Sequence, residues 1–437
     1  MDSDSHSWPV LRRAAAPLGV VFAALLAWQP LPAGAAPTAY GQRFVRVDQA
    51  AVPPDQSGVE VAPADDQRTV RAEYERQLTE LEQRGGPYAA SLAEPLAGLA
   101  GLRAQQGDIV GSRRLYERAL HLVRVNDGLY SERQVPILRQ LFDSYRSSGD
   151  MESLDARYDY YFRLYGAGQP PYTPMRLRAA LEYLRWQREA LLLGLEGEQS
   201  GRLLALLDLN GDLLTAVAAD SAVPTRLYKA LVMSQLNNLY LLQDMYRPEL
   251  QSRNEPPKHL TAAAWEPQDT NEYRLELLQR KAVSTGRELL EELVARTPPG
   301  QSAELAELYL QLGDWSQWND RRSEAEAAYR QVVALLAQAG EQARLEQWLG
   351  APQELPANGV FRLPDATDDE AVVVAASFEV SARGRAQNIE TTVANEEDED
   401  RAGRLRRDLA GTRFRPAYPG GEPGDSGGVS RRYEVFR

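Results

Sequence analysis

Cysteine is absent from the 437 residues, which removes thiol catalysis, iron–sulfur clusters and Cys-ligated zinc, so stability has to come from packing. Histidine is nearly absent too. His6 precedes the first apolar run, and His121 and His259 stand too far apart for a relay or a His-rich metal site to be read from spacing. Only Lys229, Lys258 and Lys281 are lysines, so arginine carries almost all positive charge, and planar, bidentate carboxylate recognition is available wherever arginines cluster. Acids outnumber bases, 62 to 49, and the formal charge of −13 argues against nucleic acid as a partner. No long charge-free apolar run follows the first 36 residues, so no stable membrane insertion is expected downstream of them.

Those first residues join Arg12 and Arg13 to an apolar run from Leu18 to Trp28 and a small-residue end, Ala33-Gly34-Ala35. That order reads as a secretory signal peptide over residues 1–35. A retained anchor would need about 20 apolar residues, more than the run supplies. Residues 36–68, with Pro37, Pro53, Pro54 and Pro63 among small and acidic residues, read as a flexible leader, with order expected to begin near Arg71. From there to residue 350 apolar residues return at three- and four-residue spacing, a helical signal. After Gly350 the texture changes. Residues 351–370 are read as a linker, and 371–437 as a small α+β domain running strand (Val372–Val380), turn, strand (Ala386–Val393), helix to Leu409, strand (Val429–Phe436).

Within the helical region a single offset recurs. Tyr74, Tyr116 and Tyr158 lie 42 residues apart, and so do Tyr88, Tyr130 and Tyr172. At the same offset Gly107-Asp108 maps onto Gly149-Asp150, Leu96 onto Leu138, Leu99 onto Leu141 and Leu120 onto Phe162. Helix pairs joined by a Gly-Asp turn satisfy this pattern, since glycine tolerates left-handed backbone past a helix end and aspartate caps the next start. Both tyrosine series are expected to pack in the core. Helices without the repeat signature are expected over Pro174–Leu193, Gly201–Ala219, Pro224–Tyr246 and Thr270–Arg296, with a loop from Arg247 to Gln268. Asp208-Leu209-Asn210-Gly211-Asp212 has the opening of a calcium loop, but Ala219 replaces its closing Glu, so the stretch is read as an interhelical turn. No nucleophile motif or phosphate cradle is present, and neither a cofactor, a metal site nor enzymatic activity is expected.

The residues Leu96, Leu99, Ala100, Gly107, Asp108, Tyr116, Ala119 and Leu120, their second-repeat counterparts, and the later Leu312-Gly313, Ala325 and Tyr329 make the chain resemble the tetratricopeptide repeat family. The 42-residue spacing is similar to its longer, kinesin-light-chain variant. That resemblance implies a curved solenoid whose concave groove holds a protein or peptide, and it places Arg139, Arg146, Arg178, Arg185 and Arg188 on the groove, positions suited to an acidic partner. The other reading pairs these arginines with local acids such as Asp143, Glu182 and Glu189. Residues Phe378-x-Val380, Gly384, Leu405, Leu409, Arg413-Phe414-Arg415-Pro416, Gly421-Glu422-Pro423 and Tyr433-Glu434-Val435-Phe436 resemble the C-terminal domain of the TonB family. This second resemblance implies contact with periplasmic or outer-membrane proteins, often by strand addition to a sheet edge. Together they imply a periplasmic interaction scaffold of a Gram-negative bacterium. An accessory to energised outer-membrane transport and a cell-envelope enzyme are the alternatives.

Overall fold

In the computed structural model, residues 44–46, 64–195, 199–220, 222–245, 270–360 and 372–435 are described. The signal-peptide segment, His259 and the whole expected loop from Arg247 to Gln268 lie outside them.

Among the described residues, twelve helices in succession carry the N-terminal region: α1 (Ala64–Gly85), α2 (Ala93–Gln105), α3 (Ile109–Asp127), α4 (Val135–Ser147), α5 (Met151–Leu164), α6 (Pro174–Leu192), α7 (Gln199–Val217), α8 (Thr225–Met245), α9 (Thr270–Arg296), α10 (Ser302–Trp318), α11 (Arg322–Gln338) and α12 (Gln342–Leu349). The period seen in the sequence is a period of structure, because α2 and α4 begin and end 42 residues apart and α3 and α5 begin at the same offset. Gly107 and Gly149 stand in left-handed backbone at φ 80° and 71°. Asp108 Oδ1 then accepts from Gly111 N at 2.8 Å, and Asp150 Oδ1 from Ser153 N at 3.2 Å, each starting the second helix of its pair.

Each pair buries its apolar stripe only against its neighbours. Leu96, Leu99, Leu120, Leu138 and Leu141 form one core with Tyr116, Tyr158 and Trp186, and a second core runs from Leu177 through α7, α8 and α9 to Trp315. The first tyrosine series couples one repeat to the next. Tyr74 fills the space left by the missing side chain of Gly98, Tyr116 donates to Gln140 at 3.3 Å, and Tyr158 stacks between Phe142 and Trp186. In the second series Tyr172, partly buried, packs against the second core, whereas its two predecessors do not join a core. Tyr88 and Tyr130 are 61% and 74% exposed, since they sit in the turns before two matching 3-10 segments, Ala90–Leu92 and Glu132–Gln134. They recur because the turn recurs. The calcium-loop look-alike is not a turn: Asp208–Asp212 lies within α7, carried through by Leu203, Leu204, Leu206, Leu207, Leu213 and Leu214. There Asp208 meets Arg274 at 3.0 Å and Asn210 donates to Leu231 O.

The C-terminal region is a four-stranded antiparallel sheet in the order β1 (Phe44–Arg46), β6 (Ser426–Val435), β3 (Val372–Val380), β4 (Ala386–Thr392), with α13 (Glu399–Gly411) packed on it. Val374, Phe378, Leu405, Leu409, Phe414 and Tyr433 form its core. The expected strand–strand–helix–strand order is present. Two segments are more ordered than their composition suggested. Phe44–Arg46, within the segment read as a leader, pairs with Tyr433–Val435, and α1 starts at Ala64, ahead of the first apolar residue of its stripe. Residues 351–360, read as linker, strap the two regions together: β2 (Gln353–Glu354) pairs with β5 (Phe414–Arg415), and Leu355 and Val360 bury themselves in the helical core.

Candidate partner-binding face and junction

Arg178, Glu182, Arg185 and Glu189 follow one another at steps of four, three and four along α6, and Arg139, Asp143 and Arg146 do the same along α4. Such steps put each set on one face of its helix. The two faces are tied across the repeat. Arg139 forks onto Glu182 with both contacts at 2.8 Å, and Arg146 reaches Glu189 at 3.0 Å. Tyr161 donates to Glu182 at 3.1 Å, Arg185 adds a 3.1 Å contact to Glu189, and the Arg146 guanidinium lies 5.5 Å from the Trp186 ring.

The Glu182 hydrogen bonds hold the Arg139 cation charged, outweighing the effect of burial. For Arg146 burial opposes the charge, and Glu189 with Tyr158 more than offsets it. Burial pushes the Tyr161 phenol up, reinforced by Glu182, so it serves as a donor throughout the physiological range.

The five arginines expected on the groove therefore divide. Arg139, Arg146 and Arg185 share the face but are already paired with Glu182 and Glu189, the pairing that was the other reading of the sequence. Arg178 is exposed and makes no ion pair among the described residues. Arg188 is not on this face at all. It is 8% exposed and donates to Ser234 O at 3.3 Å, Ser234 Oγ at 3.0 Å and Asn238 Oδ1 at 2.7 Å on α8, and burial pulls its pKa down to about 10. What remains accessible is a strip of alternating sign, with Arg139 and Arg185 half or more exposed and Arg178 open. Such a strip has ready charges for a polar partner, provided that partner exchanges one of its own ion pairs for the internal one.

A second constellation gave no local signal in the sequence. Asp314 of α10 and Arg415 of β5 form a bidentate pair at 2.5 and 2.7 Å, with side chains 3% and 6% exposed. Arg415 also donates to Trp348 O at 2.8 Å, and Tyr329 donates to Asp314 at 2.9 Å, so the buried charges are hydrogen-bonded on several sides. Gln317 donates to Arg383 O and Phe414 O, Tyr433 donates to Glu354, and the Tyr418 ring meets Tyr329 at 5.2 Å. At the rim Asp320 takes Arg385 at 3.0 Å and Arg413 at 2.5 Å, which lowers its pKa, the Arg413 hydrogen bond first. The C-terminal region is thus bolted, through β5 and the turn before β4, to the α10–α11 pair.

Among the described residues no group of three or more His, Asp or Glu could hold a metal ion, and no helix is long and apolar enough to cross a membrane. A cleft of about 710 Å³ lies between α1 and α2, lined by Val70, Glu73, Tyr74 and Glu94 among others.

No protein-family model and no curated protein matches the chain. Solved structures align with it, these two among them. One, described as kinesin light chain with nearly identical TPR-like repeats, from Podosopora anserina, is 16% identical over 57% of this chain and 98% of its own, with a TM-score of 0.35. The other, BtubC (BKLC) from P. vanneervenii, is 16% identical over 63% of this chain and 92% of its own, with a TM-score of 0.19. The solenoid architecture rests on the helix pairs themselves.

Proposed function

We propose that the protein is an interaction scaffold of the cell envelope, exported to the periplasm by residues 1–35, in which the helical repeats hold one protein and the TonB-like C-terminal sheet engages another. One observation carries this reading: β5 of the C-terminal region and α10 share a buried Arg415–Asp314 pair hydrogen-bonded on several sides, so two chemically different surfaces are held in one fixed relation. A fixed relation is useful to an adaptor, because two weak contacts on one rigid body reinforce each other only when geometry lets both engage together. The open strip on α4 and α6 supplies the first surface. The second is a sheet with strand edges, to which extended segments can add.

The test is photo-crosslinking in the native organism, with a reactive side chain placed at Arg178 on α6 or at Gln387 on β4. The reading expects each position to give its own discrete protein adduct in a periplasmic fraction. Adducts at neither position, or a cytoplasmic chain with residues 1–35 retained, would refute it.

A further inference from the structure

The turns that open α2, α4 and α6 come out on one edge of the helical stack. Asn126 at the end of α3 donates to Tyr88 O at 3.0 Å, and Tyr160 near the end of α5 donates to Leu129 O at 3.2 Å. The ends of the second helices and the turns before the first ones therefore lie side by side. Each turn sets a tyrosine at the same repeat position: Tyr88, Tyr130 and, partly buried, Tyr172. Beside the first two, Val125 and Leu129 are 55% and 59% exposed, and Met175, three residues past Tyr172, is exposed as well. Apolar side chains gathered on one edge mark an interaction site rather than chance exposure.

The turn carrying Leu129 and Tyr130 is stiff. Gln134, fully buried, donates to Gly128 O at 3.2 Å and Leu129 O at 3.0 Å, and Tyr160 donates to Gln134 in turn. Ordering that precedes binding removes one cost of association. The nearby cations are engaged, Arg133 with Asp127 at 2.9 Å and Arg124 over the Tyr160 ring at 4.7 Å. Glu132, two residues past Tyr130, is exposed and makes no ion pair among the described residues. The edge thus offers rings, aliphatic side chains and one open acid.

Spacing selects the occupant. Equivalent turns follow the stacking of helices, about 8–10 Å per step. A polyproline helix repeats its face every three residues, or about 9 Å, whereas a β-strand repeats its own about every 6.8 Å. We infer that this edge takes a proline-rich segment in the polyproline conformation, its rings lying on successive tyrosines, and that Glu132 meets a basic residue of the same segment. The surface is separate from the charged strip on α4 and α6 and from the C-terminal region. A glycan chain also stacks on aromatic rings but requires polar groups for its hydroxyls, and here both Asn126 and Gln134 spend their amide donors on backbone carbonyls.

The probe is a labelled peptide of about nine prolines, long enough to cross three rungs at about 3.1 Å per residue, made with and without a leading arginine and titrated against the full chain. Saturable binding is expected, weakened about tenfold by Tyr88→Ala or Tyr130→Ala and within about twofold of wild type in Tyr130→Phe. Because both rings face solvent, the unfolding midpoints of these variants should match wild type. The arginine-led peptide should bind about threefold more tightly than the plain one, the worth of an exposed ion pair, and Glu132→Gln should erase that preference. No saturation below about 1 mM, equal affinity for wild type and Tyr130→Ala, or an arginine preference that survives Glu132→Gln would overturn the inference. So would tighter binding of a chitin oligosaccharide or of a Gly-Ser peptide of the same length.

Discussion

Two arginine–carboxylate forks in this chain have nearly the same geometry and opposite consequences. Arg139 and Glu182 meet on the face of α4 and α6 with half of the arginine side chain in solvent, while Arg415 and Asp314 meet between β5 and α10 with almost none. In water the first pair competes with hydration and salt and adds little, leaving both groups available to a partner. In the interior the second cannot be lost on one side without stranding the other. Exposure, more than pairing, decides whether such a fork is a surface or a bolt.

The sharpest way to break the comparison is to remove one half of each fork. Arg415→Ala leaves Asp314 buried without its cation and should cost about 3–5 kcal/mol in denaturant unfolding, whereas Arg139→Ala should cost no more than about 1 kcal/mol. Equal losses would show that exposure is not the deciding variable. Arg146 sharpens the contrast from between. Its partner Glu189 is buried but keeps Arg185, so Arg146→Ala should fall near 1–3 kcal/mol, roughly the penalty of a poorly satisfied buried acceptor.

A smaller effect checks the repeat turns. Gly107→Ala and Gly149→Ala each force a side chain into left-handed backbone and should cost about 1–2 kcal/mol apiece, by near-equal amounts if the two turns are equivalent.

The smallest effect is on pH dependence at the junction rim. Asp320 has its folded pKa depressed by Arg413 and Arg385, so its contribution to stability is complete above the ordinary aspartate range and is lost as pH falls through the lowered value. Asp320→Asn should therefore flatten the acid limb of the stability profile and leave the neutral region nearly unchanged. A steeper acid limb in the variant would contradict the pairing.

The regular repeats were legible because their cause is local. A 42-residue offset in Tyr116, Tyr158, Gly107-Asp108 and Gly149-Asp150 encodes a turn and a contact to the next pair, and both appear in the structure. Periodicity alone did not separate core from turn, so Tyr88 and Tyr130 carry the same period while facing solvent. The candidate arginines were only partly legible. Glu182 and Glu189 lie 43 residues beyond Arg139 and Arg146, a full repeat and a single residue more, which makes their pairing readable from the period. Arg188 hid inside the same helix, because a stripe of arginines does not reveal that one of them meets Ser234 and Asn238 in the interior. The junction was illegible. Asp314 and Arg415 are 101 residues apart with no shared motif, and Leu355 and Val360 sit in a Pro-rich stretch with the composition of a spacer.

The proposed adaptor role requires the C-terminal region to be fixed to the helices. Spin labels on Arg178→Cys and Gln387→Cys, two exposed sites in a chain otherwise free of cysteine, report that relation through dipolar distance measurement. A single narrow distribution that broadens in Arg415→Ala is the expected result; a broad distribution in the otherwise wild-type chain would contradict the fixed junction.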